Sequence, residues 1–298
     1  MGIRLRHLTC AVFGGLMLAS VHAGAQDQAP KSPPARTYPT EITNIRFDSG
    51  QAVVPYFEGW IKNADGTFDL VFGYFNRNYT EEIVVPVGPD NKFEPGNPDS
   101  GQPTYFLPRR RRWMARYRVP ADFGKKTVTW TITANGRTEK AYGDLLPAEE
   151  LTERVVMTNG NFDPGEGDLN QPPSLTVAPV QTVTAGDSVT LTASVTDDGL
   201  PKPRPVAPPP PPPPTTGART PTAQVNSSGQ QRPRGLNVSW LTYRGPGKVT
   251  FGSAGPTLAA NGQVATTATF AVPGTYVLRV IANDIQLSTR KDITVTVK

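Results

Sequence analysis

Thr127-Val128-Thr129-Trp130-Thr131-Ile132-Thr133 decides the fold class. Val128, Trp130 and Ile132 alternate with threonines, so an extended chain places the large apolar side chains on one side and the hydroxyls on the other. That is a strand with one buried and one wet face. Asn135-Gly136 follows, a dipeptide that accepts positive φ cheaply, and Thr138 to Tyr142 returns as the second arm of a hairpin.

Runs of the same kind precede this hairpin: Val53 to Ile61, Phe68 to Phe75, Ile83 to Val87 and Trp113 to Val119, with Asn63-Ala64-Asp65-Gly66 joining the first two. No stretch sustains a 3.6-residue period. Residues 38–146 therefore read as an antiparallel β-sandwich. Residues 147–173 differ: Glu149, Glu150, Glu153, Asp163, Glu166 and Asp168 face Arg154 alone, and the stretch ends in Gln171-Pro172-Pro173. This reads as an acidic linker, with one helical turn near Pro147. Residues 174–298 return to short strands. Ser188 to Val195 aligns Val189, Leu191, Ala193 and Val195, and Leu236 to Leu241, Gln263 to Phe270, Tyr276 to Ala282 and Ile293 to Val297 follow. The expected fold class is all-β, two antiparallel Ig-like β-sandwich domains joined by a linker. Residues 201–234 interrupt the second with the seven prolines Pro208 to Pro214, flanked by Lys202, Arg204, Arg219, Arg232 and Arg234. They read as a cationic, Pro-rich surface-loop insertion, extended where the prolines run together.

The second region carries Ala185-Gly186-Asp187-Ser188-Val189-Thr190-Leu191, Val195-Thr196-Asp197-Asp198-Gly199-Leu200-Pro201, Trp240, Gly245-Pro246-Gly247-Lys248-Val249-Thr250-Phe251, Thr267-Ala268-Thr269-Phe270, Gly274-Thr275-Tyr276-Val277-Leu278-Arg279 and Ala282-Asn283-Asp284. In that order it resembles the polycystic-kidney-disease-like and bacterial Ig-like domains of exported proteins. The resemblance implies a seven-stranded sandwich that serves as a spacer or in adhesion and ligand presentation. It departs from the Trp-x-Phe-Gly-Asp-Gly signature of many such domains, because Trp240 is followed by Leu241-Thr242-Tyr243-Arg244. The first region resembles the N-terminal regions of uncharacterised exported bacterial proteins.

Arg4 and Arg6 precede an apolar stretch from Leu8 to Val21, and Ala23-Gly24-Ala25 supplies small residues before Gln26. Residues 1–25 read as a cleaved signal peptide, too short in its apolar part to span a bilayer. Cys10 opens that stretch instead of following it, which excludes lipidation there. Residues 26–37 read as a flexible leader. His7, His22 and Cys10 all lie in the signal, so the mature chain has no histidine and no cysteine. That removes Ser-His-Asp and Cys-His nucleophilic catalysis, thiol redox chemistry, disulfides, haem and iron–sulfur ligation and nearly every zinc or copper site. No catalytic residue, cofactor site or metal ligand is assigned. The formal net charge of +5, two charges of which leave with the signal, is too mild for nucleic acid.

Several constellations bear on function. Arg109-Arg110-Arg111-Arg112-Trp113-Met114-Ala115-Arg116-Tyr117-Arg118 is the sharpest. Regular alternation would turn Trp113, Ala115, Tyr117 and Val119 inward and line Arg112, Arg116 and Arg118 outward, to grip an anionic polymer or to pair with acids across strands. Asp163, Glu166, Asp168, Asp197, Asp198 and Asp284 fit either a calcium site at the domain junction or plain turns. Glu58, Asp69, Glu81 and Glu82 are the carboxylates from which a glycosidase pair would have to come. Tyr56, Phe57, Trp60, Phe68, Phe72, Tyr74, Phe75 and Tyr79 supply core, with any exposed subset a sugar-stacking face. Asn78, Asn226 and Asn237 begin glycosylation acceptor triplets.

These features describe a non-enzymatic exported protein, periplasmic or extracellular, with a structural or ligand- or carbohydrate-binding role at the bacterial cell envelope. Its expected partner is an envelope polysaccharide or another exported protein, with no transmembrane segment in the mature chain. The alternative is a carbohydrate-active hydrolase using paired carboxylates, with an accessory Ig-like domain.

Overall fold

The computed structural model describes residues 46–160, 169–180, 182–202, 235–253 and 255–298. The stretches read as signal and leader, the proline run with most of the residues read as an insertion, and Asp163, Glu166 and Asp168 lie outside the described residues. In the first sandwich β1 (Val53–Lys62), β2 (Phe68–Asn76) and β6 (Arg109–Val119) form one sheet, and β4 (Asn91–Glu94), β7 (Val128–Ala134) and β8 (Arg137–Gly143) form the facing one. A small third sheet pairs β3 (Ile83–Val84) with β5 (Tyr105–Phe106). All pairings are antiparallel. The anticipated hairpin closes Ala134 on Arg137, with Asn135 at φ 50° and Gly136 at φ 72°.

Aromatic packing fills the space between these sheets. Phe72, Phe93, Phe106 and Trp130 are fully buried, and Trp130 stacks on Phe93 at 5.4 Å and meets Phe72 edge-on at 6.1 Å. Such pairs add about 0.5–1.5 kcal/mol each beyond the area they bury. Val128, Trp130 and Ile132 all face this core, as their alternation requires.

The second sandwich comprises β9 (Ser174–Val177), β10 (Ser188–Thr196), β11 (Asn237–Arg244), β12 (Val249–Phe251), β13 (Thr257–Leu258), β14 (Gln263–Phe270), β15 (Gly274–Asn283) and β16 (Ser288–Val297). Two antiparallel four-stranded sheets, ordered β12-β14-β10-β9 and β13-β11-β15-β16, give it an Ig-like build. Leu191, Ala193 and Val195 meet Val280, Ala282, Phe270 and Leu278 between the sheets.

The first sheet is apolar on both faces, which alternation in β6 alone does not foresee. Phe72 pairs with Ala115 and Tyr74 with Arg111, so Arg112, Trp113 and Met114 together oppose Gly73. This bulge, with Trp113 at φ 58°, corrects the expected pointing: Met114 joins Ala115 in the core, while Trp113 turns to the opposite face beside Ile61 and Val71. There a short helix, α1 (Glu153–Met157), covers them with Val156. Thr152 caps it by accepting the Val155 N–H, and a 3-10 turn, Pro147–Glu149, leads into it. Residues 147–160 therefore pack on the sheet: the Leu151 N–H donates to the Trp60 carbonyl at 2.8 Å, and Trp60 Nε1 donates to the Leu146 carbonyl at 2.7 Å. No helix among the described residues is long and apolar enough to cross a membrane.

Candidate functional site

Two bulges meet at Gly73 and organise the arginines. On β1, Phe57 pairs with Phe72 and Gly59 with Val71, so Glu58 is the extra residue. Its carboxylate reaches over Gly73, where any Cβ would collide with Glu58 Oε1 and the Arg111 carbonyl. There it meets Arg110 at 2.8 Å and Arg112 at 3.6 Å. Farther along, Arg118 grips Asp69 through Nε at 2.9 Å, and Arg116 bridges Asp69 at 3.6 Å and Glu153 of α1 at 2.6 Å. The outward arginine row is thus an internally neutralised ladder. Burial of Asp69 opposes its ionisation, but Arg118, Asn63 and Arg116 outweigh burial and hold the carboxyl below its usual value of 3.8.

A pH dependence follows from that depression. The Asp69 contribution is complete above the ordinary carboxylate value and disappears as pH falls through the lower folded one. Asp69→Asn should cost about 1–2 kcal/mol at neutral pH, since most of Arg118 remains in water. The gap between variant and parent should close in acid. Urea midpoints measured at several pH values decide this; a gap that widens in acid would refute the assignment.

Tyr243 on β11 opens a second set of contacts. Thr242 pairs with Leu278 and Arg244 with Val277, leaving Tyr243 bulged and turned into the core of the first sandwich. Its hydroxyl lies 2.6 Å from the Gly101 carbonyl and 2.9 Å from that of Met114, and can donate its single proton to either. Arg279 on β15 stacks over the Tyr243 ring at 3.8 Å, donates from Nη1 to the same Met114 carbonyl at 2.8 Å, and holds Asp292 by two bonds of 2.8 Å. Arg244 holds Asp99 at 2.6 Å and donates from Nε to the Gln102 carbonyl at 2.7 Å; this lowers the Asp99 pKa, chiefly through the Arg244 hydrogen bond. The β6 bulge withdraws Met114 from the ladder, so its carbonyl can accept from the second sandwich.

Beside this clamp two adjoining, solvent-open cavities of about 510 and 530 Å³ lie between the sandwiches and share Met114, Arg279, Ser288 and Arg290. The first also has Trp113, Tyr243, Glu153 and Asp292 in its wall. The second is walled by Arg110, Arg111 and Arg112 from one sandwich and by Arg279 and Arg290 from the other. Nothing local in the sequence marks Arg279 or Arg290 as site residues, and Tyr243 and Arg244 stand out only by their position after Trp240. There, residues that do not fit the second sandwich's own pattern serve its neighbour.

Other expected site residues are dispersed. Glu58 and Asp69 are engaged by arginines, Glu81 accepts from Gly50 and Asn135, and Glu82 accepts from the Tyr105 hydroxyl. The depression of Asp69 is the reverse of what a general acid needs. Among the eight aromatics, Tyr56 and Tyr79 are exposed, and Arg110 and Arg109 cover them at 4.1 and 4.0 Å, so they form no bare stacking face. Asp198 accepts from the Gln171 and Leu200 N–H groups, Asp197 from Gly199, and Asp284 from Gln286 and Leu287. These are turn roles, and the described residues contain no cluster of three His, Cys, Asp or Glu side chains suited to a metal. Asn78 and Asn237 are buried with their amide nitrogens donating to backbone carbonyls, which denies both to glycosylation in the folded state; Asn226 lies outside the described residues.

The arrangement is that of an all-β, two-sandwich Ig-like protein. No family model matches the chain, and no curated protein matches it. Among solved structures it is similar to a conjugative transposon lipoprotein from Bacteroides eggerthii at 13% identity, covering 42% of this chain and 96% of that chain, with a TM-score of 0.27. It is also similar to fibronectin(III)-like modules of Clostridium thermocellum CbhA at 12% identity, covering 83% and 94%, with a TM-score of 0.23. Domains 4 and 5 of the S-layer protein SbsC are similar at 9% identity and a TM-score of 0.24; 58% of this chain is covered, and it spans 65% of that one. At such scores the chemistry rests on the side chains themselves.

Proposed function

We propose that the chain is a non-enzymatic exported binding protein of the bacterial cell envelope, and that it recognises its partner at the seam between the sandwiches. One observation carries this reading: a fixed clamp holds adjoining cavities of about 510 and 530 Å³ open between two folded units. Ligand sites favour such junctions, and volumes of a few hundred cubic ångströms suit a small molecule or one unit of a polymer. The open arginine face is a weaker candidate, because Glu58, Asp69 and Glu153 already occupy it. In this reading the second sandwich, of the polycystic-kidney-disease-like kind, presents the seam.

The test is retention of the purified chain on insoluble envelope and polysaccharide fractions, beside the variant Ser239→Trp. Ser239 lies on the wall of the second cavity and is partly exposed, so an indole there fills the space without entering either core. Retention of the parent with at least a tenfold loss in the variant is expected. Equal retention of both would overturn the seam as the site.

A further inference from the structure

The second cavity has five arginines in its wall and, among the described residues, no acidic side chain. Three of the five are accounted for: Arg110 and Arg112 share Glu58, and Arg279 holds Asp292. The other two are not. Arg111 has its Nε buried without a hydrogen-bond partner, and Arg290 makes no hydrogen bond or ion pair among the described residues. They belong to different sandwiches, Arg111 to β6 and Arg290 to β16, and both line the same space.

A partly buried guanidinium without a direct ion-pair partner is costly to a fold, because burial removes water and charges farther off, as Glu153 and Asp292 are for Arg290, return only part of the lost interaction. Two of them lining one cavity supply a receptor for negative charge, since the planar fork matches an oxyanion bidentately. Burial, reinforced by the nearby Arg279 and Arg116 and only partly offset by Glu153 and Asp292, pushes Arg290 down to about 10, which still leaves it charged at neutral pH. The remaining wall is mixed. Ser239 offers a hydroxyl and Asn159 its amide nitrogen, while Leu241, Ile281 and Pro256 offer apolar surface. That suits a body with hydroxyls on its rim and C–H groups on its face.

We infer that the seam binds an acidic saccharide unit, its anionic group held between Arg111 and Arg290 and its ring against the β11 and β15 side of the cavity. This rests on the seam being the recognition site and adds the class of ligand. The row of arginines on the open face would bind any polyanion loosely and lose it in salt; a partly buried pair in the seam is screened less and should lose its ligand less steeply as ionic strength rises.

The experiment is calorimetric titration of the full chain with D-glucuronate, D-glucose and inorganic sulfate, repeated for Arg290→Gln and for Arg118→Gln as a control outside the seam. Glucuronate should bind, glucose should not, and Arg290→Gln should weaken glucuronate at least tenfold while Arg118→Gln leaves it unchanged. Because Arg290→Gln removes a cation that makes no direct hydrogen bond or ion pair among the described residues, its unliganded melting temperature should stay close to the parent's, so lost binding would not reflect lost folding. Glucose binding as tightly as glucuronate would overturn the inference, and so would sulfate matching glucuronate, which marks a site for small inorganic oxyanions. If polymer retention falls in Ser239→Trp but not in Arg290→Gln, the ligand class is wrong and the seam stands. If it falls in neither, both readings fail.

Discussion

Tyr243→Ala should lower the free energy of unfolding by about 3–5 kcal/mol, the range for deleting a large buried aromatic. Tyr243 is 3% exposed and lies in the core of the sandwich to which it does not belong by sequence. Truncation opens a cavity there, removes the ring beneath Arg279 and leaves the Gly101 carbonyl without its hydroxyl donor. The conservative Tyr243→Phe keeps the ring and should cost only about 1 kcal/mol, the net value of one hydrogen bond. Urea unfolding followed by tryptophan fluorescence reads both, since Trp60, Trp113 and Trp130 report on the first sandwich and Trp240 on the second. The parent should unfold in one transition, and the alanine variant should release the first sandwich at lower urea. An unchanged midpoint for Tyr243→Ala would mean that the clamp adds nothing to stability.

Asn91→Leu should be about as damaging despite nearly conserving volume. Asn91 is fully buried on β4; its Oδ1 accepts from Trp130 Nε1 at 3.0 Å, and its Nδ2 donates to the carbonyls of Val85 at 3.0 Å and Pro103 at 2.8 Å. One amide thus satisfies three groups in the core. Leucine strands all three, and at about 1–3 kcal/mol for each unsatisfied buried group the loss should reach about 3 kcal/mol or more. Thermal unfolding measures it; a loss under 1 kcal/mol would show that water or a backbone shift replaces the amide.

Much of the architecture is legible because it depends on local alternation. Val128, Trp130 and Ile132 face one core and Leu191, Ala193 and Val195 another because a strand with regular pairing has no other way to sort them. The short strands Asn91–Glu94, Tyr105–Phe106, Ser174–Val177 and Thr257–Leu258 are not legible in the sequence, since two to four residues hold too little periodicity to stand out. Alternation alone sends Trp113 to the wrong face because a bulge resets it, and a bulge is a property of the pairing, visible only when both strands are known. The seam was hidden for a similar reason. Arg111 and Arg290 are 179 positions apart in sequence and ordinary where they stand; only the docking of one sandwich on the other makes them neighbours of one cavity.

The bulged Met114 carbonyl has a consequence for inheritance. Ig-like units are commonly portable, moved between genes as beads that fold wherever they land. Here one bead keeps a tyrosine that belongs in its neighbour's interior, and the neighbour keeps a carbonyl turned out of its own sheet to receive it. Neither can be shuffled alone without leaving the other with a hole or an exposed aromatic, so recombination within this lineage should preserve the pair as a single cassette.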